Sequence, residues 1–309
     1  MSTVPYSTRS GYARPTSHSS FLRNRILTIT VHYLILDFLS VSMMKDPFFI
    51  LGPDVPYPPT LLSPRLQSMS PTALLLYRQL WSLMGVLSAI MAVFKLSDVV
   101  QYYALGKLFP MRGELWQYSS TFGSFTQIPD RGLSGFWGSW WHQTFRAQFV
   151  APAQWLVRRG LVTRGRLSGV LAMLVVSFTQ SGLLHASGSI TSVPATKPWR
   201  SPLFFILQVV GIATQTGIAT VAGKQLSSLP KVVRRVGNLV FTVVWLHYTS
   251  TFFVNDMASA GIWLLEPVPI SLFRFLGYGH PGDHWWRWDS DYFPRWYSAE
   301  HWWQSGFAL

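Results

Sequence analysis

Residues 167–187 read LSGVLAMLVVSFTQSGLLHAS, an apolar run with no charged side chain. A helix needs about 20 residues to cross a hydrocarbon core, so this stretch spells a membrane-spanning helix. Ser177, Ser181 and His185 recur every four residues within it and share one helical face, with Gln180 beside them. An ionisable group on such a face is a candidate functional residue. The spacing equally allows a histidine at the far interface, bonded to water or a carbonyl.

Working outward, apolar runs recur at 26–44, 74–94, 203–223 and 236–254. A sixth, 257–276, contains Glu266, Pro267 and Pro269 and reads as broken or re-entrant. The composition agrees: 49% of the 309 residues are hydrophobic and 12% are charged, where ordinary soluble domains carry about 25% charged residues. The expected fold class is all-α, a polytopic membrane protein of about six transmembrane helices. His32 and Asp37 fall inside the first run and read as satisfied polar groups between neighbouring helices.

Lys and Arg number 25 against 12 acids, a formal net charge of +13. In so apolar a chain the partners are the lipid bilayer, with its anionic headgroups, and phosphorylated co-substrates; nucleic acid is not expected. Cysteine is absent, which excludes disulfides, Cys-ligated metal and a thiol nucleophile. Residues 1–25, rich in Ser and Thr at their start, read as a disordered cytosolic tail. The Pro-rich residues 46–72 read as a loop. The tail 277–309 holds Trp285, Trp286, Trp288, Trp296, Trp302 and Trp303, a density that suits the membrane interface. His280 and His284 flank Asp283, but Pro281 and Gly282 favour a solvated turn over a metal site, and no metal is expected.

The longest loop, 105–166, carries RGLSGFWGSWWHQTFR at 131–146. Trp137, Trp141, Phe145 and Phe149 recur every four residues, and Phe136 and Trp140 form a second row. This pattern predicts an amphipathic helix lying in the interface, too polar to span. By itself it describes a membrane anchor.

The run Ser134-x-Phe136-Trp137-Gly138-x-x-Trp141-His142 resembles the signature of wax synthase-like membrane-bound O-acyltransferases, in which Phe-Trp-Gly-x-x-Trp is followed by Asn or His. Phe122-Gly123-Ser124 resembles the family's lead-in. Ser181-Gly182-Leu183-Leu184-His185 resembles the helix that carries its catalytic histidine. The resemblance covers roughly 115–255, within a membrane-bound O-acyltransferase domain at 26–276. Family members carry more hydrophobic segments ahead of the block.

The resemblance implies His185 as general base and His142 as a second polar group, orienting the acyl carbonyl or stabilising the oxyanion. It implies acyl-CoA, acetyl-CoA above all, as co-substrate rather than a bound cofactor. Arg131, Trp137, Trp141 and Arg146 are the candidate co-substrate-binding residues, with Arg158 and Arg159 as further phosphate partners. The acceptor is a hydroxyl on a hydrophobic small molecule. Fungal relatives that acetylate terpenoid or polyketide secondary metabolites are the most similar. A wax ester synthase is the near alternative; a transporter or a non-enzymatic membrane scaffold are the distant ones.

Six spans and the cation distribution place both termini and the 105–166 loop on one face, the cytosolic one of the endoplasmic reticulum. His185 then points toward the lumenal end while the signature lies on the cytosolic side. A shared site requires a tunnel, or a tilted or broken third span.

Overall fold

The structure is a computed structural model and describes residues 6–163, 165–192, 196–289, 295–302 and 305–308. Trp303, named above, lies outside the described residues.

Helix α1 (His18–Met43) starts about two turns ahead of its apolar run, because Ser17 caps it. The Ser17 side chain accepts the Ser20 N–H, and the Ser20 hydroxyl faces the Ser17 N–H in return, so two orphan donors of the first turn are satisfied. Asp46 caps α2 (Pro47–Leu51), and α3 (Pro64–Gln67) is a single turn in the Pro-rich link. Helix α4 (Pro71–Val100) begins with Ser70 as its cap and proline in its first turn. It runs through a π-helical turn, Gln101–Leu105, into α5 (Gly106–Leu108). Then follow α6 (Gln127–Gly135), α7 (Arg146–Arg158), α8 (Leu167–Ile190), α9 (Arg200–Val221), α10 (Gly223–Ser228), α11 (Lys231–Ser259) and α12 (Leu272–Phe275). The only sheet among the described residues pairs two three-residue strands, Arg295–Tyr297 and Gly306–Ala308. The fold is all-α, as expected.

Among the described residues, four helices are long and apolar enough to cross a membrane: α1, α4 with its extension to Leu108, α8 and α9. Helix α11 is 29 residues long and runs the length of the bundle, but its first turns carry Lys231, Arg234 and Arg235. The expected sixth span is not a helix. Gly261, at φ 68°, closes α11 in a left-handed turn. Pro267 and Pro269 follow, and Glu266 pairs with Arg274 at 2.9 Å and Arg287 at 2.7 Å. Residues 266–288 therefore fold back on the bundle end. Ser271 Oγ donates to Asp37 Oδ1 at 2.5 Å, and Asp37 Oδ2 accepts the Phe273 N–H at 3.1 Å. Asp37, fully buried inside α1, thereby has its partners.

These contacts define two ends. At one, Arg25 of α1 meets Asp98 of α4 at 3.0 Å, Asp130 meets Arg235 at 2.9 Å, and Asn238 donates to Pro129 O at 3.0 Å. At the other, Asp46 holds Arg78 at 2.7 Å, and Leu39, Met43, Phe48, Phe49, Val254 and Ala258 form the apolar core. The amino segment lies at the first end and residues 266–288 at the second. The last apolar stretch turns back onto the bundle end rather than continuing as a sixth long helix.

The described part of the amino tail, residues 6–17, is also not loose. Its backbone bonds residues 120 and 124, with Ser120 N–H to Ala13 O at 2.7 Å and Ser124 N–H to Ser10 O at 2.8 Å.

Candidate active site

The aromatic block does not form the single interfacial helix that its four-residue spacing predicts. Helix α6 bends at Gly132, whose φ of 62° suits glycine. The missing side chain admits Gln215 of α9, which accepts the Leu133 N–H at 2.9 Å and donates to Asn238 of α11 at 3.0 Å. The chain then unwinds into a wider π-turn, Phe136–Trp140, and Trp141 leaves it extended at ψ 147°. A π-turn displaces carbonyls from the helical ladder, and four of those around it find donors as follows. Gln143 Nε2 donates to Trp137 O at 2.9 Å and Trp141 O at 2.6 Å. Arg146 donates to Gly138 O at 2.9 Å, and the Gly123 N–H to Trp140 O at 2.9 Å. The Tyr12 hydroxyl donates to Trp141 O at 2.7 Å. Burial first of all keeps that phenol above its usual pKa, hence a donor.

The π-turn carries the block into the bundle. The Trp137 ring packs on Phe178 of α8 (5.7 Å between centroids) and on Phe204 and Phe205 of α9 (6.0 and 5.9 Å). Its Nε1–H donates to Gln208 Oε1 at 3.3 Å, and Gln208 is fully buried. The start of α7 stays at this depth, since Phe149 O accepts from Ser177 and Gln180, about half-way along α8.

His185 meets the same rings. It stacks on Phe205 at 5.2 Å and takes the edge of Phe253 of α11 at 5.0 Å. Phe205 thus touches both His185 and Trp137. Neither a tunnel nor a broken third span is needed to join the signature to the histidine helix, because the signature loop descends to it. Gly182 allows the close approach of α8 and α9: a Cβ there would lie 2.7 Å from Pro202 Cα.

His142 follows Trp141 and is boxed by Phe94 of α4 (5.9 Å), Phe122 (6.1 Å) and Trp141 (5.4 Å). Its Nδ1 is buried without a hydrogen-bond partner among the described residues. Burial, and secondarily the charge of nearby His185, hold its pKa below the ordinary 6.5. The ring is neutral at pH 7, with one N–H to give and one nitrogen to accept.

A cleft of about 490 Å³ opens beside His185 at the second end of the bundle. Ile50, Leu51, Phe253, Met257 and Leu265 supply apolar walls, and Ser189, Ser201 and Asp256 a polar one. His185 is exposed to this space.

Of the residues singled out from the sequence, His185, Trp137, Trp141 and His142 come together through contiguous rings. Arg131 and Arg146 instead brace the block, Arg131 donating to Ser139 Oγ at 2.9 Å. Arg158 and Arg159 sit at the far end of α7, where Arg159 covers Trp155. Gln208, Asp256 and Tyr12 were not anticipated. Gln208 and Asp256 carried a signal, each being a polar residue in or beside an apolar span; Tyr12 carried none.

Among the described residues, four helices able to cross a membrane, with helix-borne His185 beside a descended aromatic block, define an integral membrane protein. Residues 118–207, which hold both block and histidine, match the sequence profile of the membrane bound O-acyl transferase family. The chain is similar to three fungal proteins named as acetyltransferases. It is 25% identical over 275 residues to acetyltransferase ple2 of Rhodocybe pseudopiperita, covering 87% of this chain and 66% of the relative. It is 26% identical over 139 residues to acetyltransferase fsoF of Humicola fuscoatra, 42% and 33% of the two chains. Identity to acetyltransferase pyr8 of Aspergillus fumigatus is 27% over 161 residues, 50% and 37%. The chain thus spans between a third and two thirds of the length of these relatives. No solved structure matches it. The matched segment is membrane bound O-acyltransferase-like, of the fungal acetyltransferase kind at low identity.

Proposed function

We propose that the protein transfers an acyl group, acetyl above all, from acyl-CoA to a hydroxyl of a hydrophobic small molecule. The observation that carries this reading is the convergence of His185 and the Trp137–His142 block on Phe205. His185 takes the proton of the acceptor hydroxyl as that oxygen bonds to the thioester carbonyl carbon. The carbon–sulfur bond breaks, and the thiolate leaves with the proton returned from the imidazolium. The neutral His142 ring donates to the carbonyl oxygen as it gains charge. No cysteine exists to form an acyl-enzyme, so attack is direct.

The apolar walls of the cleft suit a terpenoid or polyketide alcohol. The cations of the signature-bearing end, Lys107, Arg112, Arg158, Arg159, Lys231 and Arg234 among them, favour that end as cytosolic. Acyl-CoA then arrives there, at the endoplasmic reticulum membrane.

The test is acyl transfer in microsomes, with radiolabelled acetyl-CoA or palmitoyl-CoA and a lipid extract as acceptor. Labelled ester is expected with acetyl-CoA. Transfer should fall by about 10²–10⁴-fold in His185→Ala, the usual contribution of a general base. A well-inserted His185→Ala protein that retains most of its transfer overturns the mechanism.

A further inference from the structure

The cleft wall beside His185 holds a carboxylate that the mechanism above does not use. Asp256 lies in the last turn of α11 and is nine-tenths or more buried. Its two oxygens are each claimed by a serine from a different helix. Ser189 of α8 donates to Oδ1 at 2.8 Å, and Ser201 of α9 donates to Oδ2 at 2.6 Å. Ser189 itself contacts Thr196, so its hydroxyl is held from both sides.

The helical spacing ties this carboxylate to the site. Ser189 lies four residues beyond His185 on α8, and Asp256 three beyond Phe253 on α11, so each pair shares a face. Phe253 touches the His185 ring, and Asp256 is bonded to Ser189. At this end of the bundle the two helices therefore point the same way, with Asp256 one turn beyond the imidazole along the same cleft wall. His185 and Asp256 both line that cleft. Both side-chain partners of this buried carboxylate are serine hydroxyls, and the imidazole of His185 lies one turn away on the same cleft wall.

We infer that Asp256, fixed by Ser189 and Ser201, is a positioning residue that stabilises protonated His185 from one turn along the cleft wall. This rests on His185 being the base. Asp256 touches no reacting atom; its charge lowers the cost of moving the acceptor proton onto the ring. The other ionisable groups around His185 are accounted for. His142 faces it from the signature loop and is neutral. No ionisable group of the 261–265 turn lines the cleft, and Arg200, next to Ser201, is bound by Asp54 at 2.8 Å and donates to Ser259 Oγ at 3.1 Å.

The experiment compares wild type, Asp256→Asn, Asp256→Glu, the pair Ser189→Ala with Ser201→Ala, and His185→Ala, all in microsomes. Acetyl-CoA and the accepting alcohol are varied across pH 5 to 9. Asp256→Asn keeps volume and an acceptor oxygen but no charge. Its kcat should fall by roughly tenfold or more with KM for acetyl-CoA little changed. Its acidic limb should move to lower pH, because loss of a nearby anion makes the imidazole easier to deprotonate. Asp256→Glu should restore part of kcat and return the limb toward that of wild type. A purely structural tie would change expression or melting temperature and leave the limb in place.

An unshifted limb with wild-type kcat in Asp256→Asn overturns the inference. If that variant fails to accumulate, the serine pair decides. Freed but still charged, Asp256 should then give a several-fold lower kcat, and unchanged kcat overturns the inference. Retained transfer in His185→Ala would instead reject the underlying base assignment, so the two failures are distinguishable.

Discussion

The His142 ring is closed in by three aromatic rings, and its buried Nδ1 has no hydrogen-bond partner among the described residues. Its folded pKa lies below 6.5, whereas the unfolded ring takes a proton near 6.5. Between those values the unfolded chain binds more protons, so stability is lost as pH falls through 6.5 and levels off below the folded value. Melting temperatures in detergent from pH 7.5 to 5 should decline more steeply for wild type than for His142→Asn. Equal slopes would contradict a buried neutral ring. His142→Ala should slow transfer by about 10²–10³-fold if it removes an oxyanion donor. Asn, which keeps an N–H, should lose less.

At the scale of the element, the site depends on how closely α8 and α9 pack. Gly182 faces Pro202 with no room for a methyl group, while a Cβ at Gly217 on α9 would meet nothing within 4 Å. Gly182→Ala should therefore destabilise, at the about 1–3 kcal/mol typical of overpacking. It should also lower transfer, since His185 lies less than a turn further along α8 and reaches Phe205 only across this contact. Gly217→Ala should be neutral or stabilise by roughly 0.4–1 kcal/mol through the unfolded chain. Melting temperature and transfer rate measured on both variants check this. A Gly182→Ala protein as stable and active as wild type would mean that the helices can separate without loss.

The whole molecule makes a claim about sidedness. With residues 266–288 returning to the end where α1 and α11 finish, that segment and the 160 region lie at opposite ends of the bundle. The absence of cysteine makes the test clean. Single cysteines placed at Gly160, Ser68 and Gly282 should label with a membrane-impermeant reagent in two groups, Ser68 with Gly282 and Gly160 apart. If Gly282 labels together with Gly160, the last apolar stretch crosses after all and the fold-back is wrong.

Membrane residence and the all-α class were legible in the chain alone. Hydropathy over about 20 residues is a local quantity, and the spacing around His185 and the Phe-Trp-Gly block lie within short windows. Those windows could not convey where the block goes. Its four-residue spacing describes a regular helix, and regularity is lost at Gly132 because Gln215, 83 residues later, fills the place of a side chain. The π-turn persists because donors from residues as distant as Tyr12 and Gly123 take up its carbonyls. The 257–276 stretch is apolar enough to suggest a span, yet Gly261, two prolines and the Glu266 ion pairs turn it back. Asp256 joins the His185 cleft only because α8, α9 and α11 meet at one point. Which residues can do chemistry is written in their types and local spacing; which of them share a cavity is decided by long-range packing and by the backbone groups that packing must satisfy.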